Sequence, residues 1–172
     1  DGRLNTAELS TTVILQVAQD FRRELTRVIQ PGGDNSSFGA FCQNNLDMVK
    51  QALNARDAQG NSVFGGTTFA ANAVDFSALP IPTVGSPILT SYYTGDDNPS
   101  VVNISNNTNV SYQIRADNPG FAKLIYALTA CINTPPDYDE TSNNMMLLRQ
   151  SMDYTQQATV EISDIKADIG TV

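Results

Sequence analysis

The sequence contains no histidine and no tryptophan among its 172 residues. Without histidine, the chain cannot build a Ser-His-Asp or Cys-His catalytic arrangement, and it lacks a common ligand of transition metals. It also lacks the side chain that most often moves protons near neutral pH. Carboxylates, lysine or tyrosine could still support catalysis, but the composition disfavours an enzyme. We therefore predict no catalytic, cofactor-binding or metal-binding residues.

Basic side chains are also few, since 10 Lys and Arg stand against 18 Asp and Glu, for a formal net charge of −8. Binding to nucleic acid requires a basic face that neutralises phosphates, so no nucleic-acid partner is predicted. No apolar run reaches the length of a membrane span. The longest candidates, residues 11–16 and 121–128, are interrupted by polar side chains, so no membrane insertion is predicted.

Only two cysteines are present, Cys42 and Cys131, and their separation fits no zinc or redox motif. The first interpretation is that both are small buried hydrophobic residues. A single disulfide between them is the alternative. A reactive thiol is disfavoured, because no basic neighbour in the sequence would lower its pKa.

Acidic residues are frequent, but their spacing does not match a calcium loop, which alternates oxygen ligands around a glycine and closes with glutamate. We interpret the three acidic groups as a turn, a charged helix start and a solvated helix face. In chain order these groups are Asp96 with Asp97, residues 137–140, and Asp164 with Asp168.

Apolar residues recur every three or four positions in four stretches, which predicts four helices. We expect them at residues 5–30, 36–58 and 119–132, and from residues 138–141 to the end of the chain. The predicted inward face of the first helix consists of Leu9, Val13, Val17, Phe21, Leu25 and Val28. The last helix carries a heptad-like row formed by Leu148, Met152, Thr155, Thr159, Ile162, Lys166 and Ile169.

The middle of the chain has a different composition, because residues 68–117 contain half of the prolines. The run Leu79–Val84 has two prolines and excludes a helix. Alternating residues predict strands at 99–105 and 110–115, joined by a turn at 106–109. We therefore predict a mostly α protein with a small β-rich insert, of the α+β class. It would consist of an elongated antiparallel helical bundle (residues 1–67 and 118–172) and a small β domain (residues 68–117).

One segment links the two predicted parts, and we call residues 54–67 the corner loop. It is expected to end the second helix at Gly60, form a short strand at residues 61–64, and turn on Gly65 and Gly66. The apolar pattern of the last helix runs to the end of the chain without a cap, which suggests the core of a longer protein.

Four stretches resemble the flagellin superfamily, which includes filament flagellins and hook–filament junction proteins. One of them is the basic-acidic-apolar run at residues 21–25 of the first helix. Residues 53–67 are similar to the superfamily's L-N-x-x-D-x-x-G-x-x-x-F-x-G-T corner, residues 92–97 to its Y-x-G-D step, and residues 110–121 to its exit from the outer domain. The resemblance marks as structural Asn54, Arg56, Asp57, Gly60, Phe64, Gly66, Thr67, Tyr93, Gly95 and Asp96. The rod core is expected to contain Val13, Val17, Phe21, Leu25, Leu46, Leu53, Leu148, Met152, Ile162 and Ile169.

The resemblance implies a structural subunit of the bacterial flagellum that joins hook to filament by self-assembly. It implies export by the flagellar type III apparatus, an extracellular location and no cofactor. The implied partners are the hook-side junction protein, flagellin, an export chaperone and copies of the chain itself. Two alternatives stay open: a flagellin of the filament, and a secreted adhesin or other binding module.

Overall fold

The computed structural model describes residues 2–67, 71–98, 100–105, 108–112 and 114–170. These residues form four helices, namely α1 (Gly2–Ile29), α2 (Phe38–Leu53), α3 (Pro119–Cys131) and α4 (Asn143–Gly170). They also form one antiparallel hairpin of β1 (Ser100–Ser105) and β2 (Thr108–Tyr112). None of the described helices combines the length and apolarity that a membrane crossing demands.

The four helices form a bundle in which α1 and α3 each pack on both α2 and α4. Neighbouring helices run antiparallel. The start of α1 lies beside the segment that follows α2, where Arg3 binds the backbone carbonyl of Ser62. The start of α3 lies beside the later part of α4, because a side chain at Gly120 would meet Glu161.

The two long helices each bury a row of residues spaced alternately by three and four. The row on α1 is Ala7, Thr11, Ile14, Ala18, Phe21, Leu25 and Val28. The row on α4 is Leu148, Ser151, Thr155, Ala158, Ile162, Ile165 and Ile169. This spacing averages 3.5 residues, so each row follows one side of a helix that has about 3.6 residues per turn. Small residues within both rows permit close approach of neighbouring helices.

The predicted apolar face of α1 differs from the buried row at its N-terminal end. Leu9 is 70% exposed and Val13 is 42% exposed. Residues spaced by four advance about 40° around the helix at each step, so this series reaches the buried side only near Val17. The core position predicted for Val13 is therefore not what the structure shows.

The predicted row on α4 differs from the buried row at every second position. Met152 is half-buried, whereas Ser151 beside it is fully buried. Lys166 is likewise half-buried beside the buried Ile165. Hydrophobicity favoured Met152 over the small polar Ser151, but a narrow contact between helices accommodates the smaller side chain.

The prediction of a small β-rich domain, and with it the α+β class, is wrong. Within the described residues the middle segment contributes one two-stranded hairpin, and the protein is built from helices. Two residues of the predicted turn, Asn106 and Asn107, lie outside the described residues. Prolines at 80, 82 and 87 have no amide hydrogen to give to a strand ladder, so this part of the segment cannot extend the hairpin into a sheet.

Residues 71–98 pack as an irregular segment that contributes to the core of the helices. Asp75 and Thr94 donate backbone hydrogen bonds to Tyr92 and Ala73, at 2.8 and 2.9 Å, which holds the two ends of the segment together. Tyr92 is buried, and its hydroxyl donates to the carbonyl of Ala116 at 2.6 Å. A single hydrophobic cluster therefore runs from the helices into this segment. The domain division at residues 67 and 118 stays a prediction.

Two observed helix boundaries differ from the predicted ones for a local reason that the contacts show. The second helix stops at Leu53 instead of residue 58, because the Asn54 side chain binds the backbone of Val74. The last helix starts at Asn143, where the Ser142 hydroxyl accepts a hydrogen bond from the amide of Met145 at 3.1 Å. This is the bond by which an N-cap serine satisfies a free amide of the first turn.

Candidate functional site

The corner loop leaves α2 as a turn organised around one aspartate. A carboxylate oxygen of Asp57 accepts hydrogen bonds from the amides of Gln59 and Asn61, at 3.0 and 2.9 Å. The Asp57 amide donates to the carbonyl of Asn61 at 2.9 Å, which closes the turn. The short strand predicted at residues 61–64 is absent, since Ser62 makes only an isolated bridge with Arg56. The aspartate fixes this turn without a strand.

Two motif residues connect the corner loop to the segment that follows it. The Asn54 side chain accepts from the amide of Val74 at 3.0 Å and donates to its carbonyl at 3.3 Å. Arg56 donates to the carbonyl of Gly60 at 2.8 Å and to the Asn72 side chain at 3.1 Å. Asn54 and Arg56 thus bind polar groups 20 and 16 residues further along the chain, and these bonds hold the irregular segment against the end of α2.

Phe64 anchors the corner loop in the core. Its ring is fully buried and meets the ring of Phe121 edge to face, with 5.9 Å between centroids and 83° between planes. Its carbonyl accepts a hydrogen bond from the amide of Ala116 at 2.9 Å. The end of α2 is thereby joined to the chain that enters α3.

A second carboxylate joins the end of the corner loop to the Tyr92–Asp97 step. Asp96 accepts from the amides of Thr67 and Asn98, each at 3.0 Å, and from the Thr67 hydroxyl. The hydrogen bonds from Thr67 hold the pKa of the Asp96 carboxyl well below its ordinary value. Gly66 adopts a φ of +69°, and an added Cβ would overlap the Asp96 carboxylate. Only glycine fits that position without displacing the aspartate.

Tyr93 and Gly95, the remaining motif residues, also lie at the contact between the corner loop and residues 92–97. The Tyr93 hydroxyl donates to the backbone carbonyl of Asp96 at 2.6 Å. A Cβ at Gly95 would lie 2.5 Å from the carbonyl of Gly65 and from the Tyr93 hydroxyl. The structure thus brings together three stretches that are far apart in sequence, and we call residues 54–67, 92–97 and 114–121 together the junction.

Arg3 of α1 contacts the junction, although it was not among the predicted site residues. Its buried guanidinium donates to the carbonyls of Ser62 and Gly66, at 3.1 and 3.2 Å. The sequence did contain a signal, because a cation in the first turn of a helix opposes the helix dipole. Such a residue needs another partner, and the carbonyls of the corner loop supply it.

The predicted rod-core residues spread along the whole bundle and do not meet at one point. Apart from the exposed Val13 and the half-buried Met152, they are buried: Val17, Phe21, Leu25, Leu46, Leu53, Leu148, Ile162 and Ile169. Their assignment as functional residues, like that of the motif residues, stays a prediction. Among the described residues, no three His, Cys, Asp or Glu side chains cluster as metal ligands would. The contacts of the junction are packing and hydrogen bonding, which can hold segments together.

Comparison with solved structures gives matches to the whole fold. Neither a protein-family model nor a curated protein matches the sequence. FlgL from Bacillus cereus matches with a TM-score of 0.60 and 14% identity, over 98% of this chain and 80% of its own. A protein from Vibrio parahaemolyticus described as a flagellar hook-associated protein matches with a TM-score of 0.57 and 13% identity, over 98% of this chain and 76% of its own. The chain therefore has the fold found in these two proteins.

Proposed function

We propose that this chain is the core of a structural subunit of the bacterial flagellum, and that it acts where the hook joins the filament. The observation that carries this proposal is the junction, in which three of the four stretches that resemble the flagellin superfamily meet. The fold shared with FlgL and with the hook-associated protein, over 98% of this chain, supports the same role.

The proposed mechanism is mechanical. Helices α1 and α4 each have 28 residues, so each extends about 42 Å at 1.5 Å per residue. The junction fixes one end of this bundle to the irregular segment through a buried aromatic contact and charged hydrogen bonds. A force on the irregular segment would therefore reach the bundle through Phe64, Asp96 and Arg3. Such a role needs no catalytic residue.

Assembly would place the chain among copies of itself and other axial proteins of the flagellum, outside the cell after export. An export chaperone would hold it before assembly. We propose that residues 1–67 and 118–172 form the rod in this assembly and that residues 68–117 face outward. A subunit of this kind requires no cofactor, nucleic acid or membrane insertion.

The bundle surface offers a place for contacts between subunits. Leu9, Val13 and Met48 are exposed apolar residues that line a shallow groove between α1 and α2. We propose that a neighbouring axial subunit covers this groove in the assembled structure, because its burial would remove three large apolar side chains from water.

Immunogold labelling of intact flagella with an antibody to this chain tests the proposed location. A discrete band between hook and filament is the expected result. Label along the whole filament would favour a filament flagellin instead. Flagella without label would refute the flagellar role and favour a secreted adhesin.

A pair of neighbouring substitutions in the complete gene tests the proposed groove. Leu9→Arg places a charge in the groove, whereas Glu8→Arg changes the charge of an exposed position that does not line it. Leu9→Arg should prevent filament attachment while the purified protein keeps its thermal stability, and Glu8→Arg should leave attachment intact. Normal filaments in the Leu9→Arg strain would contradict the proposed groove contact but would leave the proposed location in the flagellum unaffected.

A further inference from the structure

Cys42 lies on α2, Cys131 lies on α3, 89 residues later in the sequence, and the two helices pack against each other. Both thiols are free and fully buried. The side chain of Cys131 neighbours the Cys42 thiol and contributes to raising its pKa. Their position is unrelated to the junction, and the proposed role makes no use of them.

The backbones of the two helices approach closely at this point. A Cβ added to Gly39 would lie 2.6 Å from the carbonyl oxygen of Ile132. Gly39 precedes Cys42 by about one helical turn, and Ile132 directly follows Cys131. A disulfide requires Cα atoms only about 4.4–6.8 Å apart, and a glycine contact between two helices is the kind of site that permits it.

We propose that Cys42 and Cys131 form a disulfide that fastens α2 to α3 when the chain folds in the presence of a low-molecular-weight disulfide. The first cysteine, as thiolate, attacks a sulfur of that reagent, forms a mixed disulfide and releases one small thiolate. The second cysteine, also as thiolate, attacks the protein sulfur of the mixed disulfide and releases the second small thiolate. The two cysteine protons end on the two released thiols, and the reagent takes up the two electrons.

The bond must form during folding. The neighbouring Cys131 side chain and burial raise the pKa of the Cys42 thiol, so in the folded reduced chain this thiol stays protonated at neutral pH. In the unfolded chain both thiols are exposed and have ordinary acidity. Once the helices pair, the disulfide is buried where small reductants do not reach it.

The bond should stabilise the chain by constraining the unfolded state. It closes a loop of about 90 residues, which contains the corner loop, the irregular segment and most of α3. For a chain of this size, a loop of that length corresponds to a rise in Tm of about 10 °C.

The test is to refold the urea-unfolded chain with oxidised glutathione or with a reductant, and then to compare the products. The oxidised product should be lighter by two hydrogen atoms, yield one peptide pair joined through Cys42 and Cys131, and melt about 10 °C higher. Cys42→Ala and Cys131→Ala should each melt at the same temperature under both conditions.

Refolded monomer of unchanged mass, or cysteines linked only between chains or to glutathione, would overturn the proposal. A joined peptide pair without a rise in Tm would overturn the fastening role. The comparison of the wild-type products remains decisive even if a variant fails to fold.

Discussion

Substitution of Phe64 by alanine tests whether the junction carries the stability of the fold. The Phe64 side chain is fully buried, and its ring contacts that of Phe121 at 5.9 Å. Removal of a buried phenylalanine side chain costs about 3–5 kcal/mol of unfolding free energy, because the cavity fills only in part. Of this, about 0.5–1.5 kcal/mol reflects the contact between the two rings. A domain has about 5–15 kcal/mol in total, so the expected loss is a large share.

Urea unfolding followed by far-ultraviolet circular dichroism measures this loss. The midpoint should fall, and the slope should stay unchanged if the unfolding remains two-state. Phe64→Leu should lose about 1 kcal/mol, because leucine keeps most of the volume but not the ring contact. Leu9→Ala, at a site 70% exposed, is the matched surface control and should change the free energy by less than about 0.5 kcal/mol.

The reasoning would be refuted if Phe64→Ala lost no more than the Leu9→Ala control. That result would mean that the corner loop can leave the core without unfolding the helices. The junction would then not be coupled to the stability of the bundle and could not transmit force to it.

Three further predictions concern the junction and the contact between α3 and α4. Gly66→Ala should destabilise the chain by at least about 1 kcal/mol more than Gly60→Ala in urea unfolding. Both glycines have positive φ, but only at Gly66 would a Cβ meet Asp96. Equal losses of unfolding free energy in the two variants would contradict the clash. Because the pKa of Asp96 is lowered in the folded chain, its contribution is fully present above the ordinary value of 3.8 and is lost as pH falls below it. Asp96→Asn should therefore flatten the acid limb of Tm against pH, and an unchanged limb would argue against this. The side chains of Lys123 and Glu161 form an ion pair at 2.5 Å, and each is less than 35% exposed. A double-mutant cycle should show a coupling energy of about 1 kcal/mol between them. Additive losses would mean that solvent screens the pair.

The four helices could be predicted from the sequence because their apolar periodicity is long and regular. The observed helix boundaries differ from the predicted ones where the hydrogen bond of a single side chain ends or starts the helix. Asn54 shortened α2 by binding Val74, a residue whose position no local pattern indicates. The predicted β domain failed for a similar reason. Strand-like composition at residues 99–115 is compatible with one hairpin, but a sheet needs further strands, and the prolines nearby cannot provide them.

The motif residues of the junction were found in the sequence, whereas their contacts were not. Thr67 and Asp96 are 29 residues apart, and spacing alone does not indicate that one binds the other. Arg3 was missed because its partners are backbone carbonyls, which every residue has. The sequence left three interpretations of Cys42 and Cys131, because their spacing does not indicate whether the two side chains meet.

The sequence by itself determined that this protein is an acidic chain of amphipathic helices with a turn-rich middle, because these properties depend on composition and on local periodicity. Only the tertiary structure decided which residues of each apolar face are buried. Leu9 and Val13 are as hydrophobic as the core, but the buried row follows a 3.5-residue spacing through Ala7, Thr11 and Ile14. Close approach of antiparallel helices selects small residues in that row, and neighbours from distant parts of the chain decide which side of a helix meets water.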